Sequence, residues 1–549
     1  MKKTLFYFIL LLQIQYNFAQ PHSKPIPANA RPKLVVGIVV DQMRWDYLYR
    51  YYDRYCQGGF KRLLNEGISC ENTFIPYTPT VTAAGHACIY TGSVPSIHSI
   101  VGNNFYDYRL GRSVYCSEDK SVKTVGAEND NGKMSPRNML TTSICDELKL
   151  ATNFRGKVIG ISIKDRGAIL PAGHSADAAY WYDGKTGNFI SSTYYMNELP
   201  KWVQDFNAAK NVNKYYEKDW KTLYPISTYI QSDNDTNAYE SKPFGDDQLG
   251  FPYDLKKFIE KKNYGAIRNT PYGNSLTLDM AKAALLNEQL GKDSITDFLA
   301  VSFSSTDYIG HAFGPNSIEI EDTYLRLDKE LEAFFIFLDK NVGKEKYTVF
   351  LSADHGAAHI PAFLEKHQLP NGGIVSSKVE ADLNEALKNE FGKDSLCIGI
   401  WNYQVYLNRE RINTLNLEYK KVLKHSINFL QKNPGIEQAL KYEDLQEAML
   451  PAELKEQIIK GYYPARCGDI MVILKPGYID DEYGGKGTTH GVWSPYDAHI
   501  PLLFYGYGIN KGKVYNKCYM TDIAATLASL LHIQMPSGCI GNTIEKVIK

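Results

Sequence analysis

The sequence has no excess of charge of either sign. Lys and Arg number 61, Asp and Glu 61, and the formal net charge of the 549 residues is zero. Such a chain has no global field to draw it to nucleic acid or to an acidic membrane. No specific nucleic-acid partner is therefore expected, and any anion must be held by local groups. Long apolar runs are equally scarce. Thr4–Leu12 (TLFYFILLL) is too short for the ~20 residues a bilayer helix needs, and no later run resembles a membrane span. Met1-Lys2-Lys3 precedes it, and QIQYNFAQ and then the Pro-rich PHSKPIPANARP follow. That order predicts a secretory signal peptide over residues 1–19 and a linker over 20–32, although Asn17 is a poor match to the small residue usual near a cleavage site at Ala19. No Cys lies at the junction, so no lipid or other membrane anchor is expected, and the location is periplasmic or secreted. CxxC pairs are absent among the nine cysteines (56, 70, 88, 116, 145, 397, 467, 518 and 539), which argues against a thiolate metal site. In an exported chain some of these cysteines are expected to pair, the odd count leaving at least one over. Repeats and low-complexity tracts are also missing beyond the N-terminus.

What is present is a core-forming α/β pattern. Hydrophobic residues make up 44% of the chain, and strand-like runs alternate with helix-like ones. This predicts a doubly wound, mostly parallel sheet with helices on both faces. Candidate core strands are Leu34–Val40, Lys157–Ser162, Phe298–Ser304, Tyr347–Ala353, Ile470–Leu474 and Pro501–Phe504. Helices are expected over Leu276–Asn287 and Glu319–Leu338; in the second, Ile320, Tyr324, Leu327, Leu331 and Phe334 recur at helical spacing. Two stretches break the rhythm, at about 176–269 and 362–465. They read as insertions in one domain, 33–549, that could roof a site. The 40 tyrosines are accounted for by surface and lid segments, with a carbohydrate or nucleoside platform as the second reading.

Several acids and imidazoles follow the apolar runs directly. Asp41 ends KLVVGIVVD, Asp354 and His355 end YTVFLSADH, and Asp307 and His311 follow DFLAVSFSST. Residues at the ends of neighbouring parallel strands meet at one sheet edge, and Asp with His is a metal-binding combination. Asp307 and His311 are four apart and share a helix face. Asp354 and His355 are adjacent, so they converge only where the strand turns, which Gly356 permits. His490 lies in the glycine-rich GGKGTTHGVW and can be carried in from a distance. A single His is more often packing than ligation; the joint set carries the metal reading. Three imidazoles favour zinc over magnesium or calcium.

Thr82 opens the helix-compatible run Thr82–Tyr90. It reads either as a simple helix cap or as a nucleophile stabilised by the helix dipole and a metal. His86, one turn on, is either a support to the ligands or plain packing. Lys164 and Arg166, in ISIKDRGAIL, follow a strand two residues apart; in an extended segment they share a face. They suit a dianionic phosphate monoester, Arg as a planar fork and Lys as a compact charge. The other reading is a solvated turn neutralised by Asp165. Asn103 is an amide donor candidate, with Asn104 beside it as an alternative.

The order of these residues, with PTVTAAGH, KDRGAILPAGH, STDYIGHAFGP, SADHGAAH and KGTTHGVW, resembles the alkaline phosphatase superfamily and, within it, the secreted PafA-type bacterial alkaline phosphatases. The resemblance runs from about Arg31 to the C-terminus. It implies two zinc ions per chain and a phosphothreonine intermediate in the hydrolysis of phosphate monoesters to alcohol and inorganic phosphate. By that resemblance Asp307, His311 and His490 hold one zinc. Asp41, Asp354 and His355 hold the other, with Thr82 as fourth ligand and nucleophile. Asn103, Lys164 and Arg166 hold the phosphoryl oxygens. The alternative is a phosphodiesterase of the nucleotide pyrophosphatase/phosphodiesterase type; a diester has one charge fewer, and Lys164 and Arg166 favour the monoester. A sulfatase needs a Cys or Ser in C/S-x-P-x-R, which Thr82-Ala83-Ala84 cannot supply. A non-enzymatic relic of the site predicts a lost ligand or nucleophile, and none is missing. A monomer is the favoured state.

Overall fold

The computed structural model describes residues 30–482 and 484–549. The signal peptide expected at 1–19 and most of the 20–32 linker lie outside the described residues. Five runs without a polar face, Leu34–Val40, Val158–Ser162, Ala178–Asp183, Asp297–Phe303 and Tyr347–Ser352, are buried along their whole length. Strands of that kind need cover on both faces, and helices supply it. Leu34–Val40 runs parallel to Asp297–Phe303 on one side and to Tyr347–Ser352 on the other. Val158–Ser162 and Ala178–Asp183 extend the parallel block beyond Asp297–Phe303. Leu502–Gly506 pairs antiparallel with Tyr347–Ser352, and with further edge strands the sheet reaches ten strands among the described residues. The fold is the expected α/β class.

Register decides where the chemistry goes. Val40 stands opposite Phe303, Val39 opposite Ser352, and Ser302 opposite Ser162. The four central strands thus end level, and the residues that follow them emerge along one edge, where parallel α/β sheets place their ligands. Helices cover the sheet close to the expected spans, at Tyr272–Asn287 and Ile318–Leu338. The Ser317 side chain caps the second by accepting the Ile320 N–H, and its five predicted apolar residues are all buried.

Several expectations need correction. Ile470–Leu474 is no strand of the central sheet: it pairs antiparallel with Gln404–Leu407 and Ile436–Lys441 in a separate four-stranded sheet. That sheet and its helices have their own apolar core, including Leu383, Leu387, Val405, Leu407, Val422 and Ile470, so the second insertion runs past residue 465. A short buried apolar run does not say which sheet it joins. The first insertion begins later than 176, because Ala178–Asp183 and Asn188–Ser192 belong to the main sheet. Its aromatics are not surface groups. Trp220 is fully buried among Phe244, Phe251, Tyr253 and Phe313, and Trp220 Nε1 donates to Asp322 on Ile318–Leu338. Finally, none of the nine cysteines is joined in a disulfide. Residues Arg31–Lys549 form one compact unit.

Candidate active site

The seven expected ligands converge at the level edge of the sheet. Asp41 follows Val40 directly, and the chain then turns through Gln42 in the left-handed region (φ 64°). Asp307 and His311 sit on the helix Ser305–Phe313 with Oδ1 and Nε2 3.2 Å apart. Asp354 and His355 lie beyond the end of Tyr347–Ser352. Gly356 has ordinary backbone torsion; what it requires is space, since a Cβ there would stand 2.1 Å from the Tyr496 carbonyl. His490 Nε2 arrives 3.7 Å from Asp307 Oδ1. His355 stands between the two expected sets: its Nε2 is 3.5 Å from Asp41 Oδ1, and its ring stacks on His490 at 3.5 Å. Two triplets have ligand atoms within 4.8 Å of one another, Asp41/Asp354/His355 and Asp307/His355/His490.

Each imidazole is fixed by a backbone carbonyl. His311 Nδ1 lies 2.7 Å from the Thr488 carbonyl, His355 Nδ1 2.9 Å from that of Gly356, and His490 Nδ1 2.7 Å from that of Thr80. A carbonyl only accepts, so each Nδ1 carries the proton and each Nε2 presents a lone pair to the centre. The carboxylates match this: Asp41 Oδ1 and Asp354 Oδ2 are buried without a hydrogen-bond partner. Burial and the neighbouring Asp307 and Asp354 push Asp41 well above the usual carboxylate range. Burial works the same way on Asp307, but Lys164 and His311 outweigh it and hold that group well below. Burial, with His355 and His311 close by, depresses His490, so it stays neutral as a ligand must. Orphaned acid oxygens facing aligned Nε2 atoms fit divalent metal, and a set with three imidazoles fits zinc.

Thr82 is the first residue of the helix Thr82–Thr91, not its cap; Val81 holds that place. Its Oγ1 faces the centre, 3.4 Å from His355 Nε2. Gly85 lets this helix approach, since a Cβ there would lie 2.4 Å from the Asp354 carbonyl. His86 supports the ligands: Nδ1 donates to the Thr82 carbonyl (2.9 Å) and also lies 3.2 Å from Asp354 Oδ2, while Nε2 meets Ser302 Oγ at 2.8 Å. Asn103 is distinguished from exposed Asn104 because its Oδ1 accepts the Ala83 N–H at 2.9 Å.

Lys164 and Arg166 do not share a face of an extended segment. Lys164 is the N-cap of the helix Asp165–Ala172, and Arg166 lies in its first turn. They are brought to the site by the strand-to-helix corner. Lys164 Nζ is 2.6 Å from both Asp41 Oδ2 and Asp307 Oδ2, one carboxylate of each set. Arg166 Nη1 donates to the Tyr115 hydroxyl (3.1 Å), which in turn donates to Asp165. Sequence reasoning missed Tyr115. It also missed Gln42, whose Nε2 donates to Asp307 Oδ1 (2.8 Å) and whose N–H donates to Asp354 Oδ1 (3.1 Å). Gln42 follows Asp41 immediately, a signal that could have found it; Tyr115 carries none. Asp497 anchors the His490 loop, Oδ2 accepting the N–H groups of Gly491 and Val492 at 2.9 Å each.

Residues 35–497 match the family model described as type I phosphodiesterase/nucleotide pyrophosphatase. Alkaline phosphatase PhoV of Synechococcus elongatus is 55% identical over 520 residues, 95% of this chain and 94% of its own. Alkaline phosphatase PafA of Elizabethkingia meningoseptica is 52% identical over 523 residues, 95% of both chains. A crystal structure of wild-type PafA matches with a TM-score of 0.92 at 50% identity, covering 94% of this chain and 99% of that one.

Proposed function

This chain belongs to the type I phosphodiesterase/nucleotide pyrophosphatase family of the alkaline phosphatase superfamily and is an alkaline phosphatase, and from that premise we propose that it hydrolyses phosphate monoesters through a phosphothreonine on Thr82 with two zinc ions. The observation that carries the reading is the set of three imidazoles, each donating its Nδ1–H to a backbone carbonyl. Their Nε2 atoms face the acids Asp41, Asp307 and Asp354 beside the Thr82 hydroxyl. Asp307, His311 and His490 would hold one ion, and Asp41, Asp354, His355 and Thr82 the other. Bound zinc would lower the pKa of the Thr82 hydroxyl and stabilise the departing ester oxygen as a Lewis acid.

Thr82 Oγ forms the new bond to phosphorus as the ester oxygen leaves in line. Water then displaces Thr82 from the phosphothreonine, releasing inorganic phosphate and restoring the hydroxyl. Lys164 and Arg166 neutralise the non-bridging oxygens. Asn103, oriented by the Ala83 N–H, offers its amide to a third. Tyr115 holds the Arg166 guanidinium in place. Two buried or half-buried cations favour a dianionic group, so monoesters are preferred over the diesters that the family description names. Among the described residues no helix is long and apolar enough to cross a membrane. A periplasmic or secreted monomer without an anchor completes the proposal.

Thr82→Ala is the direct test. Turnover should fall to nearly nothing, while elemental analysis still finds two zinc ions per chain and phosphate still binds. Undiminished turnover removes Thr82 as the nucleophile.

A further inference from the structure

A third cation, Arg268, stands beside the site. The aromatic insertion returns to the main fold through the short 3-10 helix Tyr264–Asn269, which carries it. Two buried tyrosines pin that helix: the hydroxyls of Tyr182 and Tyr216 both donate to the Tyr264 carbonyl, at 3.0 and 2.9 Å. Just beyond it the chain is locked to the site helix Ser305–Phe313, where Asn274 Oδ1 accepts the Ser305 N–H at 3.1 Å. Arg268 itself is half-buried. Its Nε donates to the Gly265 carbonyl (3.0 Å), and its Nη1 meets the Tyr308 hydroxyl at 3.5 Å. Gly184 makes room for the other end of the fork, since a Cβ there would lie 2.8 Å from Nη2. No carboxylate is among these partners. A guanidinium held in this way, with N–H groups to spare, is a fork for an anion.

Tyr308 ties Arg268 to the centre. It follows Asp307 directly on the site helix, and two cations stand over its ring: Lys164 Nζ lies 5.0 Å from the ring centre and Arg268 Cζ 5.2 Å. The two differ in what they are free to bind. Lys164 is already 2.6 Å from a carboxylate of Asp41 and one of Asp307, whereas Arg268 has no acid to satisfy. Direction matters as well. Thr82 attacks from beside Asp41, Asp354 and His355, so in-line departure sends the alcohol the other way, towards Asp307 and His311. Tyr308 lies on their helix, with Arg268 over it. Resting on the reading of Thr82 as nucleophile, we propose that Arg268 is a specificity-determining residue that binds a second anionic group, a carboxylate or a phosphate, on the leaving alcohol of the substrate.

The chain's zero net charge supplies no general attraction for anionic substrates, so a preference among them must come from a local group of this kind. A charge-assisted hydrogen bond from a partly exposed Arg is worth about 10-fold in kcat/KM. Because the contact lies away from the reacting phosphorus, it holds substrate and transition state alike, and its loss should raise KM more than it lowers kcat.

The test gives zinc-loaded full-length protein three aryl monoesters: 4-carboxyphenyl phosphate, 1,4-phenylene bisphosphate and, with an uncharged tail, 4-carbamoylphenyl phosphate. Arg268→Gln removes the charge and keeps an amide in its place. It should lower kcat/KM for a charged substrate about 10-fold further than for the carbamoyl compound, with the difference in KM, and Arg268→Lys should recover part of it. A difference confined to the bisphosphate identifies the second group as a phosphate; one shared by the carboxylate shows that either anion is taken. Equal losses on all three substrates, or a loss in kcat alone, overturn the proposal and leave Arg268 as a support for Tyr308. So does a wild-type protein with the same KM for charged and uncharged tails, a result that needs no variant to fold. Failure to turn over even the carbamoyl monoester removes the phosphatase reading too, whereas turnover without a charge preference removes this proposal alone.

Discussion

Removing the Lys164 ammonium probes how the site tells a monoester from a diester. Its Nζ is buried and lies 2.6 Å from one carboxylate of each ligand set, so in the proposed mechanism it serves the whole centre and not one ion. A unit charge pair ~4 Å apart at an effective dielectric near 20 is worth about 4 kcal/mol. The transferred group of a monoester carries one negative charge more than that of a diester. Allowing for the opposing carboxylates, about 3 kcal/mol of that extra attraction is lost in Lys164→Ala, or about 10²-fold in rate. The assay compares kcat/KM for p-nitrophenyl phosphate and bis-p-nitrophenyl phosphate in both proteins, each checked for two zinc ions per chain. Monoester turnover should fall about 10²-fold further than diester turnover. Equal losses on the two substrates refute the assignment of Lys164 to the second charge.

Two other substitutions test the packing around the site. Gly85→Ala places a methyl group 2.4 Å from the Asp354 carbonyl; backbone cannot yield cheaply, so stability should drop by about 1–3 kcal/mol and kcat with it, and a fully active, equally stable variant contradicts the close approach. Burial pushes the Asp497 carboxyl up to about 8 from 3.8. A raised acid favours its protonated folded form, so its contribution is intact below about pH 4 and lost as the pH climbs through about 8, a few kcal/mol in all. Asp497→Asn should therefore remove part of the fall in unfolding temperature between pH 5 and 9 that the wild-type protein shows, and an identical slope in both proteins refutes it.

The residues legible in the sequence were those whose environment is set by their neighbours in the chain. An apolar run followed by Asp41, Asp307 or Asp354 announces both a strand and its exit, and register then brings the exits together. Ile470–Leu474 misled because its five apolar residues suit either of two sheets, and only long-range pairing chooses. Lys164 and Arg166 were right as a pair and wrong in geometry, since a helix begins where an extended segment was expected. Tyr115 was invisible: it comes from a separate two-stranded hairpin, Asn104–Asp107 with Arg112–Tyr115, and nothing near residue 115 hints that its hydroxyl meets Arg166. The aromatic insertion looked like surface because it lacks periodicity, yet an irregular segment can bury rings if they find one another, as Trp220, Phe244 and Tyr253 do.

The carbonyl that orients His490 belongs to Thr80, 410 residues earlier in the chain. The centre is thus written in two halves: the Thr82 helix and Asp41 near the start, His490 close to the end. A partly synthesised chain can form the first half but cannot finish either the ring of ligands or the orientation of its last imidazole. In the proposed centre, capture of the ion held by Asp307, His311 and His490 is for that reason an event of the finished polypeptide, whereas the set of Asp41, Thr82, Asp354 and His355 is complete by residue 355.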